Sequence, residues 1–160
     1  MPLYVAETVH LRAALPAPVR EALERHEAAA TTASDEYQQA AAEFSRRYTC
    51  RRDPWPEPLQ RAFAGVGTQV WETMIGPAGL HVVGRLRDWD VRDRLGGIAV
   101  PTLITSGGYD EVTAAQAAAL HAGIAGSEWV VFAESAHFAP VEEPERFRET
   151  LIRFLDRGRG

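Results

Sequence analysis

Between residues 102 and 155 the chain alternates short apolar runs with helix-like stretches, and this alternation restricts the fold more than any other feature. Thr102-Leu103-Ile104-Thr105 follows Pro101 and ends in Ser106-Gly107-Gly108. Trp129-Val130-Val131-Phe132 is a second run, ending in Ala133-Glu134-Ser135. Both have the length and the β-branched or aromatic content of buried strands. Ala114–Ala122, between them, reads as a helix closed by Gly123. Pro144–Leu155 reads as an amphipathic helix with Phe147, Leu151 and Phe154 along its apolar side. Strand, helix, strand, helix with short connections predicts a parallel α/β unit.

The first half has a different habit. Val5–Leu15 and Val19–Ala30 carry helical spacing, with Val19, Leu23 and His26 on one face. Ser34-Asp35-Glu36 marks a helix start, with Tyr37, Ala41 and Phe44 as its apolar face. Pro58–Ala64 and Thr68–Ile75 are two further short helices, separated from the earlier ones by the Pro54-Trp55-Pro56 break. The expected division is a helical part over residues 1–85, forming a layer or cap, and an α/β segment over 86–160.

Composition narrows the function classes. Hydrophobic residues make up 46% and charged residues 24% of the 160, which suits a folded chain with a substantial core. The net charge of −5 leaves no basic stripe for phosphates, so nucleic acid is not expected as a partner. Arg46-Arg47 and Arg51-Arg52 read as solvated helix ends. Cys50 is the only cysteine, so no disulfide framework or CxxC metal site is available. It is expected to be a small half-buried residue, and a reducing cytoplasm fits it. No run of 18 apolar residues suggests a membrane span, and Glu7, His10 and Arg12 break up any signal-peptide pattern.

In parallel α/β sheets, reactive residues gather in the loops beyond the C-terminal strand ends. Asp110 follows the first expected strand and His137 follows the second. Either residue alone has an ordinary structural reading, Asp110 as a turn former after Gly-Gly. As a pair they offer more. A carboxylate beside an imidazole fixes its tautomer and stabilises the imidazolium formed when it takes a proton from a nucleophile. The order acid-then-histidine is that of α/β-hydrolases, in which the serine comes earlier. His10, His26, His81 and His121 lack such a partner at a strand end.

The wording around these residues carries a family resemblance. Leu86-Arg87-Asp88-Trp89-Asp90-Val91 precedes Val100-Pro101-Thr102-Leu103, and Gly108-Tyr109-Asp110-Glu111-Val112-Thr113 follows. Gly126-Ser127-Glu128-Trp129 then leads to Ser135-Ala136-His137 and Glu142-Glu143-Pro144-Glu145. This resembles the C-terminal half of a proline iminopeptidase, an α/β-hydrolase that removes N-terminal residues, preferentially proline, from peptides. The helical part, with Asp53-Pro54-Trp55-Pro56 and Glu72-Thr73-Met74, is similar to the family's cap. The resemblance implies a serine aminopeptidase with Asp110 as triad acid and His137 as general base. Glu111 matches the carboxylate that holds the substrate's free α-amino group, a charge-assisted contact. Trp71 stands where an aromatic lines the substrate pocket, although an ordinary packing role serves it equally well. No metal or organic cofactor is implied, and the expected partner is a peptide with a free N-terminus.

Two departures qualify the resemblance. The serines are 34, 45, 106, 127 and 135, and none has glycine at both −2 and +2, as the nucleophile turn Gly-x-Ser-x-Gly requires. The chain on its own is therefore expected to be inactive. Gly79, in Gly76-Pro77-Ala78-Gly79-Leu80, stands where related sequences place a second amine-binding glutamate. Two rival readings follow: a non-catalytic paralogue or partner-binding module, and another α/β-hydrolase such as an esterase or epoxide hydrolase. Glu111 argues against the latter, whose substrates carry no α-ammonium. A missing N-terminal hydrolase half, or self-association through an exposed sheet edge, would complete the sheet.

Overall fold

The computed structural model describes residues 1–157; the last three residues of the expected 86–160 segment lie outside them. The chain divides into two compact units. One comprises Met1–Arg47 and Arg52–Trp89, the other Tyr48–Arg51 and the chain from Asp90 onward. The four residues 48–51, far from the second half in sequence, thus pack with it.

The first unit is helical. It contains α1 (Pro2–Ala13), α2 (Ala17–Ala28), nearly all of α3 (Asp35–Tyr48), α4 (Glu57–Ala64) and α5 (Thr68–Met74). Prolines open α1, α2 and α4, where the missing N–H costs nothing. In α3 the Ser34 hydroxyl accepts from the Tyr37 amide at 3.3 Å. Asp35 and Glu36 begin this helix and Arg46 and Arg47 end it, matching the helix dipole. Leu15, Leu23, Tyr37, Phe44, Leu59 and Leu80 form the core. On α3 the buried face is Tyr37, Ala40 and Phe44, with Ala40 in the place expected for Ala41. Glu27 ties the helices polarly, accepting from Arg12 at 2.8 Å and from the Tyr37 hydroxyl at 3.4 Å.

The second unit contains the expected α/β alternation. A 3-10 helix (Arg92–Gly97) leads to β1 (Leu103–Gly107), α6 (Ala114–Gly123), β2 (Glu128–Phe132), α7 (Ala139–Glu142) and α8 (Pro144–Arg157). The strands are parallel, in a register running from Leu103 opposite Glu128 to Gly107 opposite Phe132. With α6 as the crossover, both strands end on the same side, so the loops after Gly107 and Phe132 are neighbours. The 3-10 helix and α7 were not apparent from periodicity, being too short to show any.

On α8 two of the three expected apolar positions, Phe147 and Phe154, are half-buried, and the third, Leu151, is not. Phe147 packs on Phe132 with ring centroids 5.6 Å apart and Thr150 is buried, whereas Leu151 is exposed. Packing with Phe147 and Thr150 inward turns Leu151, Ile152 and Leu155 outward. Arg146, on the first turn of α8, donates to the Val131 carbonyl at 2.8 Å. Cys50 is fully buried, against the expectation of half burial, because the segment 48–51 is packed into the second unit.

Candidate active site

Two glycines bring the loops together. A Cβ on Gly107 would fall 2.0 Å from the Ala136 carbonyl oxygen, and one on Gly108 would fall 2.5 Å from that of Ala133. The end of β1 therefore lies directly against the 133–136 turn, with the Gly108 amide donating to the Phe132 carbonyl and the Tyr109 amide to that of Ser135. Only a residue without a side chain permits so close an approach.

This approach sets Asp110 against His137. His137 Nδ1 lies 2.9 Å from Asp110 Oδ1. The Asp110 side chain is almost wholly buried and also accepts from the amides of Val112 at 2.7 Å and Gly107 at 3.2 Å. Three donors thus fix the carboxylate. With Nδ1–H directed at Asp110, Nε2 is the basic nitrogen, and the imidazole is 41% exposed, enough to meet a reacting group. The hydrogen bond to Asp110 raises the His137 pKa above the ordinary histidine value, against the lowering effect of burial. The charges of Asp110 and Glu111 add to the rise.

Glu111 belongs to the same constellation. Its amide donates to the Tyr48 carbonyl at 3.0 Å, and its carboxylate accepts from the Thr49 hydroxyl at 3.2 Å. The His137 amide donates to the Thr49 carbonyl at 3.1 Å. Thr49 therefore touches both loops, a role that nothing in its sequence context signals.

Two more residues support the histidine loop. Glu142 accepts from the amides of Ala136 at 2.9 Å and Arg51 at 2.8 Å. Glu143 accepts from the Ser135 hydroxyl at 2.6 Å and the Glu134 amide at 3.1 Å. Burial pushes the Glu143 pKa up; the Ser135 hydroxyl, Arg146 and the Glu134 amide outweigh it and hold it below the usual range. Ser106, the serine nearest to a nucleophile pattern, is buried and accepts from Trp129 Nε1 at 2.9 Å.

Trp71 and Gly79 lie in the first unit, where both line one cavity of about 690 Å³. Trp55, Phe63, Arg46 and Glu72 also line it. Among the described residues no group of three or more His, Cys, Asp or Glu side chains is arranged to hold a metal ion.

No family model matches the chain. Individual proteins do. The proline iminopeptidase of Saccharolobus solfataricus is 36% identical over 157 residues, covering 98% of this chain and 51% of that protein. The crystal structure of proline iminopeptidase from Mycobacterium smegmatis superposes with a TM-score of 0.86 at 40% identity, over 97% of this chain and 52% of that one. The chain is related to the C-terminal half of the proline iminopeptidases, within the α/β-hydrolase fold. VinJ shares the same architecture, with a TM-score of 0.94 at 39% identity over 97% of this chain and 53% of its own. The chain spans about half the length of the curated relatives it matches. No described helix is long and apolar enough to cross a membrane.

Proposed function

We propose that this chain carries the acid and base of a serine aminopeptidase of the proline iminopeptidase type, with residues 1–85 as its cap. The single observation that carries this reading is the 2.9 Å contact between Asp110 and His137 beyond two parallel strand ends. In that role His137 Nε2 takes the proton of a serine hydroxyl as the oxygen attacks the scissile carbonyl. It then returns the proton to the leaving amine, while Asp110 steadies the imidazolium. Glu111 binds the substrate's α-ammonium, which selects peptides with a free N-terminus. The resemblance also implies a substrate-lining role for Trp71, which lines a cavity of the first unit.

The nucleophile is the part these 160 residues do not offer in a Gly-x-Ser-x-Gly turn. The test is release of proline from a chromogenic proline amide. The purified chain alone is expected to give none. Turnover that is lost in His137→Ala would reveal another nucleophile within the chain and overturn this part of the reading.

A further inference from the structure

Segment 48–51 lies between the acid loop and the histidine loop and bonds to both. On one side the Tyr48 carbonyl accepts from the Glu111 amide. On the other the Thr49 carbonyl accepts from the His137 amide, and Arg51 Nη1 donates to the Glu134 carbonyl at 2.9 Å. The Arg51 guanidinium also stacks 3.7 Å from the centre of the Tyr109 ring, one residue before the acid. Glu142 closes this arrangement. One of its oxygens takes the Arg51 amide and the other the Ala136 amide, so a single carboxylate joins the segment to the residue before the histidine.

We propose that Glu142 and the segment Thr49–Arg51 form a clamp that positions His137, holding its backbone where the imidazole meets Asp110. Without the clamp, the Ala136-His137 peptide keeps fewer fixed points and the Nδ1–Asp110 contact loses its alignment. Glu142 and Arg51 are positioning residues and do not touch a reacting atom. This proposal rests on the reading of Asp110 and His137 as a proton relay, whose geometry it explains. The charged groups acting on the imidazole are Asp110 and Glu111, both on the acid loop, so a change of position and a change of charge at Glu142 can be told apart.

The experiment is an NMR titration of the His137 ring in the 160-residue chain, with hydrogen exchange at the Ala136 amide. Asp110→Asn is the control for the relay: it must bring the His137 pKa down, and an unchanged titration would defeat the relay reading itself. Glu142→Gln removes the charge, and Glu142→Asp keeps the charge but shortens the reach. The clamp requires both to lower the His137 pKa towards the ordinary value. It also requires Ala136 exchange to accelerate by roughly tenfold to a hundredfold, the worth of one hydrogen bond to a charged group. A lowered pKa in Glu142→Gln alone would mean a charge effect and overturn the clamp, as would unchanged titration in both. Arg51→Ala keeps its amide but releases Glu134 and Tyr109, and so loosens the segment from the exposed side. It must move the His137 titration in the same direction, and a folded Arg51→Ala chain with parental titration is equally fatal.

Discussion

At Asp110 two backbone amides and one imidazole share a single buried carboxylate, so this side chain organises its loop as well as facing the histidine. Asp110→Ala leaves the amides of Gly107 and Val112 without their acceptor and should cost about 2–3 kcal/mol, read from the urea midpoint. The imidazole responds to pH in a defined sense. Its pKa is raised in the folded chain, so its contribution to stability is full below about 6.5 and fades as pH climbs through the folded-state value. His81 works in the opposite sense. Burial lowers its pKa, with Arg12 and Arg87 assisting and Glu27 opposing, so its neutral form is favoured and stability falls on acidification. The two effects separate in a comparison. Between pH 6 and 9 the stability difference between the parent and Asp110→Asn should shrink steadily as pH rises, with the His81 contribution cancelling. A difference that grows with pH would contradict the assigned bond.

At the scale of elements, the close approach of the β1 end to the turn after β2 depends on Gly107 and Gly108. Gly107→Ala places a methyl group against the carbonyls of Ala136 and Ser135 and should destabilise the second unit by about 3 kcal/mol. A chain that loses less than 1 kcal/mol in denaturant unfolding would mean the loops are more yielding than this packing implies. The strands, α6 and α8 were legible because their lengths and apolar content are set locally. The Asp110–His137 contact was legible for a related reason: parallel pairing with one crossover leaves their two loops side by side. The supports of the histidine loop were not. Glu142 and Glu143 stood out only as part of a resemblance, and their function is to accept backbone amides, which leave no trace in residue type. Thr49 and Arg51 were further hidden by separations of 62 residues from Glu111 and 91 from Glu142. On α8 only Leu151 departs from the expected apolar side: it fits the helical period as well as Thr150 does, and Thr150 is the buried one.

At the scale of the whole molecule, the proposed function is tested by supplying the nucleophile that these 160 residues do not offer in a Gly-x-Ser-x-Gly turn. The described residues form a two-stranded sheet, whereas the relatives are about twice as long as the chain. A fusion or mixture with a nucleophile-bearing half from a related enzyme is therefore the informative preparation. In it, Glu111 should hold the substrate's α-ammonium, and Gly79, where the family resemblance implies a second carboxylate, should leave that ammonium with one. A hydrogen bond to a charged group is worth roughly 1.5–3 kcal/mol, or about one to two decades of binding. The parent preparation should accordingly prefer free over acetylated N-termini only weakly. Gly79→Glu restores the second carboxylate that the family resemblance implies and should sharpen the preference by about tenfold or more. Glu111→Gln should nearly abolish it while leaving the Asp110–His137 contact in place, because the Thr49 hydroxyl can donate to an amide oxygen as it does to the carboxylate. Comparing kcat/KM on a free and an acetylated peptide for the three preparations decides the matter. Equal cleavage throughout would remove the amine-binding role from Glu111 and point to an esterase-like pocket that takes uncharged acyl groups.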